Sequence, residues 1–451
     1  MKKSKNWRNF YKGWDIAMSE NVKLPDGWKR VRLGEVIERI GDGGTPPRSD
    51  KTNFDGDIPW VVIEDIKKRI YDTKEKLTKK GLKYSNAKIW RKGSIILSFG
   101  ATIGVVGIAE VDLATKQGIA GMELKNDEVF NLFLYFVLTT KKNELLRLAN
   151  QTTILEVRPN VFVNKLSFLL PPLPEQRKIA EILETIDNAI EKTDAIIEKY
   201  KRIKQGLMQD LLTKGVVNEG EGESERWRLR DENIDKFKDS PLGRVPEEWE
   251  VVRLEEVVEI NPETLNLKNK DMTINYIDIE SIEDYKVKSY KTFKVSEAPS
   301  RAQRIVKEKD VLVSTVRPNL KSFAIITKDK NNFICSTGFA VLRSKNNLSS
   351  EYLFYYTQFD YYFLNQVLPI IVGSNYPAIN SYELKTFFIP LPPIPEQQRI
   401  ASILSQIDEV IEKEQAYKEK LERIKKGLME DLLTGKVRVN HLIEEENKDG
   451  K

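Results

Sequence analysis

The sequence predicts an α+β protein: two mostly β domains joined by two long antiparallel coiled-coil helices, arranged as a pseudo-two-fold internal repeat. Three observations predict it. The chain has 451 residues, about three times the ~150 residues of an ordinary domain, so more than one core is expected. Its second half repeats its first: residues 170–213 align with 391–434 without a gap and are identical at 28 of 44 positions. The same offset pairs Pro25, Trp28, Arg32, Leu33 and Glu35 with Pro246, Trp249, Arg253, Leu254 and Glu256. Finally, the repeated segments carry apolar residues at helical spacing, whereas the stretches between them hold short β-branched and aromatic runs broken by Gly, Asn and Pro.

In chain order, residues 1–20 form a lysine-rich arm, in which Trp7, Asn9, Tyr11 and Asp15 follow the lysines where a secretory signal would have an apolar core. Residues 21–173 make the first domain. Its uncharged stretch 93–109 is interrupted by Gly100, Gly104 and Gly107 and falls short of the roughly 20 residues that span a bilayer. A buried hairpin is expected there and no membrane span. Strands are expected over 95–99, 311–316, 323–327 and 339–342, with helices around 130–150 and 351–366. Residues 214–244, centred on Glu219-Gly220-Glu221-Gly222-Glu223-Ser224, are expected to be a loose linker. The second domain covers 245–394 and a tail 435–451.

The two long helices are expected over 174–213 and 395–434. Each opens with Pro-Glu, which suits a first turn because Pro has no N–H to lose there and a carboxylate complements the helix dipole. The predicted seam runs through Ile179, Ile186, Ile190, Ile197, Tyr200 and Leu207 in one helix and Ile400, Ile407, Ile411, Leu421 and Leu428 in the other. Ile203, Tyr417 and Ile424 continue the same periodicity. A helix of this length, at ~1.5 Å per residue, overruns a single domain, so each helix is expected to find its partner in the other, antiparallel, with the domains at opposite ends.

Composition narrows the chemistry. A single cysteine, Cys335, and a single histidine, His441, leave no disulfide, no Cys-rich zinc module and no histidine-based catalysis, and the chain reads as cytoplasmic. Net charge is +5, but the first domain has the excess: residues 21–174 hold 25 Lys/Arg against 18 Asp/Glu, and residues 245–395 hold 18 against 19. Residues 67–92 contain eleven basic side chains and only Asp72 and Glu75, either a solvated face or a phosphate-tracking patch. No GxxxxGK[ST] loop occurs, and Gly41, Gly43 and Gly44 are followed by Thr45-Pro46-Pro47 instead of a GxGxxG helix start. Asn261-Pro262-Glu263-Thr264 is not the Asn/Asp-Pro-Pro-aromatic box of a base methyltransferase. No metal site is expected. Two related but divergent heads on a stiff connector suit two different half-sites of a DNA duplex. A coiled-coil scaffold or a self-sufficient DNA-modifying enzyme are the alternatives.

The chain resembles the specificity subunit of a Type I restriction-modification system. The marks are the twice-used Pro-Leu/Ile-Pro-Glu-Gln with Ile-Ala and Ile-Asp (173–187 and 394–408) and the closing Gly-Leu-Met-x-Asp-Leu-Leu-Thr (206–213 and 427–434). Residues 237–249, opening Phe-Lys-Asp-Ser-Pro-Leu-Gly, are similar to the family's domain start, and Gly43-Gly44-Thr45-Pro46 with Ile58-Pro59-Trp60 resembles a frequent variant of its recognition domain. The resemblance implies two target recognition domains reading an asymmetric, split DNA target, with the helix pair as spacer and as dock for two methyltransferase subunits. It also implies restriction-translocation subunits, with S-adenosylmethionine, ATP and magnesium bound by the partners and no catalytic residue or cofactor in this chain.

Base edges are read by hydrogen-bonding side chains on loops. Candidates in the first domain are Thr45, Arg48, Ser98, Thr102, Lys116, Gln117, Thr152 and Arg158, and in the second Ser314, Arg317, Asn319, Lys321, Thr337, Ser374 and Asn375. Trp28 and Trp249 are expected in the core. For methyltransferase docking the candidates are Glu175, Gln176 and Arg177 with Glu396, Gln397 and Gln398, although Pro-Glu-Gln also serves as a helix start.

Overall fold

A computed structural model describes residues 24–100, 102–149, 157–220, 226–266, 270–327, 332–371 and 377–443. The N-terminal arm, Thr152, Ser374 and Asn375 lie outside the described residues. The chain forms two compact units, residues 1–194 with 417–451, and residues 195–416.

In the first unit, a five-stranded sheet has the order Ile37–Asp42, Ile119–Leu124, Ile95–Ser98, Val106–Ala109, Arg69–Ile70. The expected hairpin is present, with Ile95 opposite Ile108. It is wholly buried, which is why its residues are apolar on both faces instead of alternating. A second sheet runs Lys76–Leu77, Phe54–Val61, Leu113–Thr115, Ile89–Trp90. Helices Asn131–Thr140 and Lys142–Leu148 occupy the stretch expected to be helical, and the first buries Leu132, Phe133, Phe136 and Val137 in the main core.

The second unit has two four-stranded sheets. One runs Val258–Ile260, Phe339–Ser344, Val311–Ser314, Phe323–Ile325; the other runs Lys291–Lys294, Thr273–Ile277, Phe333–Ser336, Ala302–Ile305. Its shorter helices include Leu254–Val257, Ser350–Gln358, whose Ser349 side chain caps the Tyr352 amide, and Phe363–Val367. Each unit is closed by the same strand pair. Lys29 lies opposite Leu170 in the first unit, and Glu250 opposite Leu391 in the second. The strand that enters the domain thus pairs with the strand that leads into its long helix.

Those helices are Leu173–Thr213, of 41 residues, and Ile394–Leu433, of 40. In the first unit Ile179 and Leu183 share a core with Leu432 and Leu433, while further along Asp187 meets Lys425 at 2.5 Å and Asp194 meets Lys418 at 2.6 Å. Rising numbers on one helix meet falling numbers on the other, so the segments are antiparallel. In the second unit Leu211 and Leu212 share a core with Ile400 and Leu404, and Lys204 meets Asp408 at 2.8 Å. Lys204–Asp408 is the repeat of Lys425–Asp187, so one ion pair is built twice and sets the same register in both units.

All eleven predicted seam residues are buried or half-buried. Ile203, Tyr417 and Ile424 are not: they are 38%, 50% and 42% exposed. Spacing puts a residue on the apolar stripe, but which members of the stripe are covered depends on what packs there, and these three are left open. The expected linker also differs. Val216–Asn218 pairs with Trp227–Leu229 and Phe237–Ser240 with Gly243–Pro246, and Arg230 is 5% exposed. Acidic, Gly-rich composition describes only the middle of this stretch; its flanks carry Val216, Trp227 and Arg230, which find partners. Among the described residues, no helix is long and apolar enough to cross a membrane.

Candidate nucleic-acid interface

In the first unit, loops from four parts of the chain are tied together at one end of the main sheet. The Gly43 amide donates to the Ile119 carbonyl (3.1 Å) and the Gly44 amide to that of Thr115 (2.9 Å). Phe99 and Gly100 both donate to the Gly118 carbonyl, and Val157 donates to that of Phe99. The Gly118 amide in turn reaches the Asp42 carboxylate at 2.9 Å. Gly118 has φ +87°, and a Cβ built on Gly100 would stand 3.3 Å from the Gly118 Cα. Two glycines let two loops touch through their backbones. This cluster presents Thr45, Thr102, Gln117 and Arg158 to solvent, with Lys116 half-buried beside them.

The second unit repeats the construction with other residues. Thr315 donates to the Gly338 carbonyl through both its amide and its hydroxyl, and the Ile379 amide donates to Thr315. These bonds match Phe99–Gly118 and Val157–Phe99 of the first unit. Arg317 and Lys321 flank the turn Pro318–Leu320 with φ +48° and +52°, a left-handed backbone uncommon outside glycine. The Arg317 amide is held by the Pro377 carbonyl at 2.6 Å. Arg317 and Asn319 are exposed and Thr337 is half-buried.

Several candidates do not have free side chains. Ser98 and Ser314 are fully buried; the Ser98 hydroxyl accepts from the Val105 amide and the Ser314 hydroxyl donates to the Val316 carbonyl. Their short hydroxyls close the turns that leave strands Ile95–Ser98 and Val311–Ser314, which explains why Ser is shared by otherwise divergent bodies. Arg48 makes a two-pronged pair with Glu75 (2.8 and 3.1 Å) and lies over the Phe54 and Trp60 rings. Lys321 is paired with Asp360 at 2.5 Å. Lys88 and Arg301, not among the sequence candidates, border the clusters: the Lys88 ammonium lies against Gly41, and the Arg301 carbonyl accepts the Thr337 amide. Chain folding alone brings them there.

The docking candidates divide sharply. Glu175, Gln176, Glu396 and Gln397 are buried to 3% exposure or less, so they are internal fasteners and not docking contacts. Gln176 accepts from the Phe130 amide (2.8 Å) and donates to the carbonyls of Glu128 and Pro171. Gln397 does the same with Ser349, Asn347 and Pro392. Glu175 receives the Trp28 indole N–H and Arg438, and Glu396 receives the Trp249 indole N–H and Arg230. Both tryptophans are core, as expected. Only Arg177, over the Phe130 ring at 4.7 Å, and Gln398 are exposed. Gln176→Ala is expected to leave the Phe130 amide buried and unpaired, costing about 1–3 kcal/mol. Faster hydrogen exchange at Phe130, with unchanged exchange at Ser349, is the measurement.

Among the described residues, no group of three or more His, Cys, Asp or Glu could hold a metal ion. The exposed side chains of the two clusters, Thr45, Thr102, Gln117 and Arg158 in one and Arg317 and Asn319 in the other, offer hydrogen bonding and charge. A family model described as the Type I restriction modification DNA specificity domain matches the chain twice, over residues 25–201 and 246–423. The Type I restriction enzyme MjaVIII specificity subunit of Methanocaldococcus jannaschii is 28% identical over 442 residues, spanning 96% of this chain and 98% of its own. The EcoDI specificity subunit of Escherichia coli is 24% identical over 401 residues, spanning 85% of this chain and 82% of its own. The fold is shared with the crystal structure of the Type I restriction-modification S subunit from M. genitalium, at 14% identity and a TM-score of 0.55, over 92% of this chain and 98% of that one. With both copies of the domain matched over more than half of its length, the chain belongs to the Type I restriction-modification DNA specificity family.

Proposed function

We propose that this chain reads an asymmetric, two-part duplex target, one part with each loop cluster, and that the helix pair sets the unread base pairs between them. The observation that supports this best is the pairing of like construction with unlike side chains. Both clusters rest on the same backbone bonds at Gly118 and Gly338, yet one carries Thr45, Thr102, Gln117 and Arg158 where the other carries Arg317, Asn319 and Thr337. Equivalent scaffolds with different hydrogen-bonding edges are what two different half-sites require.

On this reading the chain itself is non-catalytic. Two methyltransferase subunits would bind S-adenosylmethionine and modify adenine, and restriction-translocation subunits would use ATP and magnesium to cleave. Arg177 and Gln398, exposed at the two helix starts, are the remaining members of the docking set. Mapping methylated adenines in DNA treated with the chain and its partner methyltransferase is expected to give one bipartite sequence with unlike halves and a fixed gap. A contiguous or symmetric motif would overturn the proposal.

A further inference from the structure

The two units differ in how they could hold a duplex. In the first unit, four of the acids around the basic run are already engaged. Asp50 takes Lys80, whose ammonium with Thr52 lowers that carboxyl to about 2. Glu75 takes Arg48, Asp72 takes Lys76, and Glu123 takes both Arg39 and Arg91. Of the lysines of that run left without a carboxylate partner among the described residues, Lys67 and Lys74 stand apart in sequence and three form a compact set. Lys79 and Lys83 are exposed on helix Lys79–Lys83, Tyr84 follows it at 64% exposure, and Lys88 is exposed just beyond. None of the three lysines has a carboxylate partner among the described residues. The helix is also fixed: Thr78 caps the Gly81 amide at 3.0 Å, and Lys80 bonds Thr52 and Asp50 at 2.6 and 2.8 Å.

This face adjoins the loops that carry the candidate readers. Lys88 lies against Gly41, its ammonium 2.7 Å from where a Cβ would stand, and the backbone of Asn86 and Ala87 lies against Gly44, next to Thr45. The second unit has no comparable excess: residues 245–395 hold 18 basic against 19 acidic side chains, and Lys321, in its reading turn, is paired with Asp360.

Resting on the DNA-reading function proposed above, we infer that Lys79, Lys83, Tyr84 and Lys88 hold the sugar-phosphate backbone beside the half-site read by the first unit, and that the second unit makes fewer phosphate contacts. The two halves of the target are then held by different physics. The first unit contributes most of the salt-sensitive affinity, whereas the second contributes hydrogen-bonded discrimination that salt affects little. Each phosphate neutralised by a lysine adds ~0.9 to the slope of log affinity against log salt.

The test is fluorescence anisotropy on a duplex carrying the full target, with the chain assembled with its methyltransferase partners, from about 50 to about 200 mM salt. The combined Lys79→Ser, Lys83→Ser and Lys88→Ser variant is expected to lower the slope by about 2 to 3, and the three Lys→Arg changes to leave it intact. Changing Arg301, Arg317 and Lys321 to Ser is expected to lower it by no more than about 1 while weakening discrimination at the second half-site. An unchanged slope in the lysine variant, or an equal fall in both variants, overturns the unequal hold and leaves the DNA-reading function standing. A wild-type assembly that binds no duplex overturns that function and this inference with it.

Discussion

Glu396→Ala is expected to destabilise the second unit by about 3–5 kcal/mol, the usual cost of stranding one member of a buried ion pair. Glu396 is 3% exposed and its oxygens receive four donors: the Trp249 indole at 3.1 Å, the Val216 amide at 2.8 Å, and two nitrogens of Arg230. Arg230 is itself 5% exposed. Burial alone would lower its pKa, but Glu396 and Glu248 outweigh burial and hold it above the usual guanidinium value. Without Glu396 the cation stays inside with the exposed Glu248 as its remaining carboxylate among the described residues and the neutral Lys214 carbonyl at 3.3 Å. For a unit of this size, a loss of that order lowers the melting temperature by about 6–20 °C. The repeat supplies its own control. Glu175→Ala removes the same contacts from Trp28 and from Arg438, but Arg438 is 28% exposed and can turn to water, so the expected cost is about 1–3 kcal/mol. Calorimetry that follows each unit separately checks the order; equal losses would mean that the buried charge of Arg230 is not what Glu396 secures.

Much of this architecture was legible because it is periodic or repeated. The long helices announce themselves by apolar spacing and by Pro-Glu at their starts, and the 221-residue offset already places Asp187 with Asp408 and Lys204 with Lys425. Sequence alone does not show that these residues form ion pairs across the seam, since charges on a helix surface look alike until a partner is in place. The same holds for Pro-Glu-Gln. Twofold recurrence marks it as important, but a buried Gln bonded to three backbone groups and an exposed docking Gln have the same letter. The loop clusters were legible as glycine- and serine-bearing turns, and Gly118 and Gly338 do hold equivalent positions. Which side chains are free was not legible. Ser98, Ser314 and Arg48 were chosen for their hydrogen-bonding capacity, and the fold uses that capacity internally. The missing information is long-range: Glu75 lies 27 residues from Arg48, and no local pattern links them.

Gly44→Ala is expected to abolish discrimination at the first half-site while sparing the second. A Cβ at this position would overlap the backbone nitrogen of Ala87 and the backbone of Asn86. Backbone on that side cannot swing away as a side chain can, so the loop through residues 42–46 must lift off the 85–88 turn. Overpacking of this kind costs about 1–3 kcal/mol. The displacement also breaks the bond from the fully buried Trp60 indole to the Gly44 carbonyl, at 3.0 Å. An unpaired buried N–H adds about 1–3 kcal/mol. The loop that moves carries Thr45 and lies beside Lys88, and its Asp42 carboxylate holds the Gly118 amide. One methyl group therefore disturbs two of the four tied loops, 42–46 and 115–118, together with the 85–88 turn. A mismatched base pair in a specific site ordinarily costs about 1–3 kcal/mol. In the Gly44→Ala assembly that penalty is expected to vanish for substitutions in the half read by the first unit and to persist in the other half. Binding measured on duplexes mismatched in one half at a time decides the matter. Equal loss in both halves would show that the loop supports the whole assembly instead of reading a part of the target, and full retention would remove residues 42–46 from the interface.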